Sequence, residues 1–418
     1  MSTSSVPSSS LPTSPACALP QRRPSGRASM VLYTSILLAF IAASSAPSPL
    51  YRLYQHTWSF GSTSLTVVFA VYALMLLVSL LITSRLSDHL GRKPLMLAAL
   101  VIEIAAMSLF WQAGSFGDLV VARVLQGFAT GMATPSVGAA LIDLHRERGA
   151  LINSMGPMFG TASGALGATA LMVYFPAPTQ TVFGVFLVVF ALQLIGVCFS
   201  PETARPRPGA WASLRPQVAV PPQVKATLLA VTPSNVAVWM LGGFYLSLMP
   251  SLALDVTHVR TPWLSGMVIA ALTLSGALST IFLRNMQPAR ALRFGQVALL
   301  LGIAGILLGV NLSQSILLVA GSLVAGCGFG AIFLGALRSI LPLAQPHERS
   351  GLMGVFYVQS YLAHSVPTIA AGYLAQRTNL LTAANVYGTV IVVLVLWTAF
   401  NPFVQGNSSS SDKKRATP

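Results

Sequence analysis

The sequence predicts an all-α polytopic membrane protein, with twelve transmembrane helices arranged as two six-helix halves. Three observations predict it. Apolar runs of about twenty residues recur from Met30 to Phe403, each long enough to cross a hydrocarbon core of about 30 Å as a helix. Only 8% of the 418 residues are charged and 54% are hydrophobic, so a water-soluble fold would lack the charge it needs. Finally, PETARPRPGAWASLRPQVAVPPQVK, beginning at Pro201, is polar, Pro-rich and basic, a composition found between no other pair of runs. It reads as a linker joining two halves. A barrel would show shorter, alternating segments.

Residues 1–28, rich in Ser and Pro, read as a disordered cytoplasmic tail. Arg22, Arg23 and Arg27 precede VLYTSILLAFIA and then AASSA, which imitates a signal peptide with a cleavage site. Cleavage is rejected, because losing the first span leaves eleven and inverts the charge distribution. The six spans of the N-terminal half (29–200) are expected at 31–49, 63–83, 95–114, 119–141, 150–174 and 180–199. The linker occupies 201–226. The C-terminal half (227–404) holds spans at 227–250, 262–283, 294–312, 316–337, 350–374 and 383–404, and residues 405–418 form a second tail. Repeated halves are how many transporters place a substrate site near the bilayer midplane.

Charge fixes the expected orientation. With a cytoplasmic N-terminus, twenty of the 24 Lys and Arg fall on the cytoplasmic side; only Arg52, Arg260 and Arg377 fall outside, and Arg123 lies within a span. That asymmetry follows the positive-inside rule and places both termini in the cytoplasm. The net charge of +15 therefore requires no nucleic-acid partner. Cys17, Cys198 and Cys327 are scattered and make neither a disulfide framework nor a metal site.

Between the second and third spans lies RLSDHLGRKPL, in a chain with only nine acidic residues. The positive-inside rule explains its Arg and Lys and gives no reason for its Asp. This stretch resembles the signature loop of the major facilitator superfamily, G-x-L-x-D-x-x-G-R-K, with Leu86, Asp88, Gly91, Arg92 and Lys93 in register and Ser84 in place of the first glycine. In the fourth span, Arg123, Gln126 and Gly127 resemble the superfamily's R-x-x-Q-G motif. In the fifth, NSMGPMFGTASGALG resembles the G-P-x-x-G-G motif of antiporters, with Thr161 replacing the last glycine and Ile152 at the upstream glycine position. PET at 201–203 is similar to the end of the sixth span in drug exporters. LRNMQPARALRFG, at the equivalent place in the second half, keeps the basic residues and has no acid.

The resemblance implies the major facilitator fold and a gating role for the loop. Arg92 can pair with a carboxylate at the end of a neighbouring span, and Asp143 closes the fourth span on the same side. The family implies that Asp88 faces the start of the eleventh span, Ser350 and Gly351, in the outward-open state, as alternating access requires. Gly156, Gly160 and Gly164, with Gly167 near the same face, admit a close helix neighbour, and Pro157 bends the span. Gly156 and Pro157 join the gating candidates.

Ionisable groups inside spans are functional candidates by default. Glu103 lies about 13 Å deep, counting nine residues from Pro94 at ~1.5 Å each, and is a candidate proton carrier or the partner of a neighbouring helix. Arg123, Gln126, Thr130 and Thr134 share a helical face. They read as a polar stripe suited to a water-filled cavity, although Arg123 near the outer boundary can also snorkel. Tyr357, Tyr361, His364 and Thr368 share a face of the eleventh span. With an unperturbed pKa of ~6.5, His364 is a second proton candidate; the alternative is a helix–helix hydrogen bond. Asn235, Trp239 and Tyr245 offer amide and aromatic surface for a substrate, Tyr245 being alternatively an interfacial anchor.

The function expected is proton-coupled efflux of small amphipathic or apolar organic molecules by a monomer in the bacterial inner membrane, because apolar, aromatic cavity candidates with few fixed charges suit such cargo. The alternatives are proton-coupled uptake of a small metabolite and a non-transporting membrane sensor. No catalytic or metal-ligand cluster is present, and no G-x-x-x-x-G-K-[ST] serves a primary pump. No enzyme activity and no cofactor are expected.

Overall fold

A computed structural model describes residues 26–204, 208–257 and 261–400, apart from the side chain at 212. Among them there is no strand. The N-terminal half comprises α1 (Gly26–Ser45), α2 (Pro47–Trp58), α3 (Ser62–Thr83), α4 (Leu86–Leu90), α5 (Arg92–Gln112), α6 (Phe116–Leu144), α7 (Arg146–Tyr174) and α8 (Pro178–Phe199). The linker holds α9 (Ala210–Ser213). The C-terminal half follows as α10 (Pro222–Ser247), α11 (Met249–Thr257), α12 (Trp263–Leu283), α13 (Pro288–Asn311), α14 (Ser315–Ile340), a 3-10 turn at Leu341–Leu343, α15 (Arg349–Arg377) and α16 (Leu380–Phe400).

Local chemistry sets the breaks. Pro occupies the first turn of α2, α8, α10 and α13, where its missing N–H costs nothing. Ser115 caps α6 by accepting from the Asp118 N–H at 3.3 Å, as N-cap serines do. Gly91 separates α4 from α5 at φ +103°, a backbone conformation that favours glycine. The first expected span is nearly continuous from Gly26 to Trp58, interrupted only at Ala46.

Each expected span coincides with a long helix, the last as far as Phe400. Nine helices among the described residues are long and apolar enough to cross a membrane. α6, α7 and α15 are equally long and less apolar, so they do not meet that measure. α8 and α16 are the least buried of the nine, and expose Val188, Leu192, Ile195 and Phe199, and Val393, Trp397 and Phe400, apolar surface that lipid would cover. Two boundaries move. Gly26, Arg27 and Ala28, expected in the first tail, belong to α1, and α10 opens at Pro222, inside the expected linker. Residues 1–25 and 401–418 lie outside the described residues.

Small residues decide how closely the helices approach. α6 lies against α3 at Gly127 and Gly131, where a Cβ would strike the carbonyls of Tyr72 and Leu76. α7 lies against α1 at Gly156, Gly160 and Gly164, the small-residue packing that lipid-embedded helices favour. Gly167, expected near that face, has open space instead. Between the halves, α3 packs on α15 and α7 on α12. The hydrogen bonds and ion pair joining the halves, among the described residues, are Ser48 Oγ donating to Leu246 O at 2.6 Å, Arg52 Nη2 to Asp255 Oδ1 at 2.8 Å, and Thr63 N–H to Gln376 Oε1 at 3.2 Å. All lie at the end of the bundle opposite the 84–91 loop, where Gly372 also meets Thr66 and Gly266 meets Thr169. The bundle is therefore closed at this far end.

Candidate functional site

Three groups of side chains stand out, one at the loop end and two within the helices.

At the loop end, Arg92 Nη1 reaches Asp88 Oδ1 at 2.5 Å and donates to Ser87 Oγ at 2.5 Å, while its Nε donates to Asp143 Oδ2 at 3.4 Å. One guanidinium thus ties α4 and α5 to the end of α6. Glu202 lies across the start of α5, Oε1 accepting from Arg92 N–H at 2.9 Å and Oε2 from Lys93 N–H at 3.0 Å. A carboxylate there satisfies orphan donors and matches the positive end of the helix. Lys93 Nζ answers at the end of α8, donating to Cys198 O at 2.7 Å and Ser200 O at 3.0 Å. The expected gating residues Asp88, Gly91, Arg92, Lys93 and Asp143 therefore meet at one place, and Glu202 completes it. Its only signal in sequence was the PET tripeptide. All of these side chains belong to the N-terminal half or its exit. Asp88 turns to Arg92 rather than to Ser350 or Gly351, as fits a bundle closed at the opposite end.

The second group is a buried polar chain. Arg123, 0% exposed, donates through Nη1 to Ser44 O at 2.9 Å and to Gln126 Oε1 at 2.7 Å, and through Nη2 to Tyr51 Oη. The rings of Tyr51, Tyr72 and Phe110 stand 5.6, 5.2 and 5.7 Å from its Cζ, within cation–π range. Gln126 Nε2 passes the chain on to Glu103 Oε1 at 3.3 Å. Thr130 is buried as well and donates to Gln126 O. These contacts correct two expectations. Arg123 does not snorkel, and Arg123, Gln126 and Thr130 do not face an open cavity: they are enclosed by α1, α2, α3 and α5. The spacing was right about a shared face, but a face does not say what covers it.

The third group lies where α3 of one half meets α10 and α15 of the other. His364 Nδ1 is 3.0 Å from Trp239 O. Around its ring stand Phe69 at 5.0 Å, Trp239 at 5.6 Å and Tyr361 at 6.5 Å between centroids. Trp239 touches Tyr361 at 5.0 Å and Phe333 at 6.3 Å, and Tyr357 continues the row 6.3 Å from Tyr361. Trp239, Tyr357 and Tyr361 are half-buried, and the rings named carry no formal charge apart from a protonated His364. Phe69 and Phe333 escaped the sequence reading, since a Phe among apolar neighbours carries no local signal. Asn235 is fully buried, its Nδ2 donating to Ser360 Oγ at 2.9 Å, which places it in the α10–α15 seam. Tyr245 is neither an anchor nor beside this cluster: its hydroxyl pairs with Ser322 Oγ at 2.6 Å in the core of the C-terminal half.

Two helical halves that meet along α3–α15 and α7–α12, tied at one end and holding an aromatic cluster between them, have the architecture of a polytopic membrane transporter. The chain belongs to the Major Facilitator Superfamily, whose family model matches residues 32–368. Among curated relatives, it is 26% identical over 296 residues to the multidrug resistance protein MdtL of Klebsiella pneumoniae strain 342, covering 66% of this chain and 72% of that one. The MdtL of another strain, ATCC 700721 / MGH 78578, is 25% identical over the same shares. Among solved structures, a mutant of the nucleoside transporter NupG superposes with a TM-score of 0.71 at 14% identity, and the human organic anion transporter MFSD10 (TETRAN) with 0.63 at 17%. Each covers 90% of this chain and all of the other. These two structures share the fold.

Proposed function

We propose that the protein is a proton-coupled exporter of small amphipathic or apolar organic molecules, working by alternating access in a bacterial inner membrane with both termini in the cytoplasm. The observation that carries this reading is the half-buried aromatic row of Trp239, Tyr357 and Tyr361, with Phe69 and His364, at the seam between the halves. Rings without fixed charge suit planar apolar cargo, whereas sugars and dicarboxylates call for polar or cationic ligands. The two charged side chains deep in the helices, Arg123 and Glu103, are fully buried and bonded into the polar chain through Gln126 rather than into that row. The multidrug name of the MdtL relatives points the same way. With the loop end in the cytoplasm, as the distribution of Lys and Arg favours, the structure is inward-facing. Protons would be carried by Glu103 or His364.

The test is an everted-vesicle assay with fluorescent cations, neutral drugs, nucleosides and sugars, scored for proton release on each addition. Release by apolar compounds alone is the expected result. Release by nucleosides alone, or silence throughout, overturns the exporter reading.

A further inference from the structure

The linker does more than join the halves. Beyond Glu202, its Pro208 carbonyl lies 3.0 Å from His89 Nδ1 of α4, and α9 packs beside α4. It then crosses to the other half. Ala219 N–H donates to Gly351 O at 3.3 Å, and the Gln217 carbonyl lies so close over Gly354 that a Cβ there would stand 2.5 Å from it. Residues 217–219 are exposed, so this strap is attached lightly, by one backbone bond and glycine contacts.

The face it covers is informative. At about 100° per residue, Gly354 projects from the same side of α15 as Tyr361 and Gly372, and Gly351 lies close to the direction of Gln376. Tyr361, Gly372 and Gln376 are among the residues that α3 contacts, through the Tyr72 and Leu76 cluster, Thr66 and Thr63. One stripe of α15 thus holds α3 in the far half of the bundle and the linker in the loop half. Rocking the halves to open the far end swings the loop end of α3, with α4 behind it, toward Gly351 and Gly354. Two segments cannot occupy that stripe at once.

We propose that residues 217–219 form a displaceable strap that holds the loop end open by occupying the α3-binding stripe of α15, and that the strap must leave Gly351 and Gly354 before the far end can open. The inference rests on the alternating-access reading above.

A disulfide tests it. A Cβ at Gly351 would lie 3.3 Å from Ala219 Cβ, close to the separation that disulfides span. In a background with Cys17, Cys198 and Cys327 replaced by Ser, Ala219→Cys and Gly351→Cys are combined with Thr66→Cys. Thr66 is fully buried against Gly372, so its replacement thiol reacts with a hydrophilic maleimide only when the far end opens. The full chain is reconstituted in proteoliposomes with reagent on both sides. The expected result is a cross-link between 219 and 351 on oxidation, labelling at position 66 slowed about tenfold or more, as a trapped population requires, and recovery on reduction. Single-cysteine partners at 219 or 351 should show no such slowing. A folded protein that forms no cross-link, or a cross-linked protein that labels as fast as the reduced one, overturns the strap and leaves alternation standing. If position 66 stays silent even when reduced, alternation itself fails and the strap with it.

Discussion

Glu103 sits mid-helix with one carboxyl oxygen bonded to Gln126 and the other, Oε2, meeting no protein donor. A fully ionised, half-satisfied carboxylate in that position is costly, which makes a neutral, proton-carrying form the natural alternative. Glu103→Gln keeps size and the bond to Gln126 while removing the titration. Counterflow should stay within about twofold of the parent while uphill, proton-driven transport is lost. If uphill transport survives, the carboxylate is structural, and His364→Gln repeats the test at the aromatic cluster. Arg123 behaves differently. It serves Ser44 O, Gln126 and Tyr51 at once, and an ammonium on a flexible stem cannot reproduce that planar fork. Arg123→Lys should therefore lower thermal stability, with apparent substrate affinity following only as far as the N-terminal half loosens. An affinity change at unaltered Tm would return Arg123 to the cavity. The sequence made both residues conspicuous as charges within spans. It was silent on their surroundings, because burial depends on α1, α2 and α3, and no local pattern names them.

At the scale of elements, spacing identified faces well and partners poorly. The glycines at 156, 160 and 164 marked a close approach, and the structure places α1 there, with Ser45 Oγ also donating to Thr161 O at 2.9 Å. This is a contact within one half, so the run is packing for α1 rather than a seam between halves. Gly164→Leu would drive a side chain into the Ala42 carbonyl and Ser45, and overpacking of this kind costs about 1–3 kcal/mol. Gly167→Leu enters open space. The first should lower apparent Tm clearly and the second should leave it near the parent; equal effects would mean that α7 does not pack on α1 through this stripe. The loop at 85–95 was the most legible element, since an Asp among basic residues asked for an explanation that Arg92 provides. Its second acid partner has a consequence for charge reversal. Arg92→Asp combined with Asp143→Arg restores one pair, yet leaves Asp88 beside a new acid. Transport by the double variant should recover only in part over either single one, and adding Asp88→Asn should raise it further. A double variant no better than the worse single one breaks the assigned pairing.

For the whole molecule, the all-α membrane fold was readable from hydropathy and composition, whereas the conformation was not. Which end is closed depends on contacts between residues far apart in sequence and unremarkable where they stand. Arg52 is one of the few basic residues that broke the charge asymmetry, and Asp255 is one of few acids. Their pairing across the far end at 2.8 Å explains a position that topology alone left unexplained. Both side chains are partly exposed, at 38% and 45%, so the pair is worth at most about 1 kcal/mol, or roughly a fivefold shift in population. Reversing either charge replaces that attraction with a repulsion and should favour far-end opening by about that factor or more, read as faster maleimide labelling of a Thr66→Cys protein. Exchanging both, Arg52→Asp with Asp255→Arg, should bring labelling back toward the parent rate. High salt should shrink the difference between single variants and parent, because exposed pairs are screened. Single reversals that leave labelling unchanged at low salt would reduce the pair to a bystander, and the closed end would then rest on Ser48, Thr63 and the glycine contacts at Thr66 and Thr169.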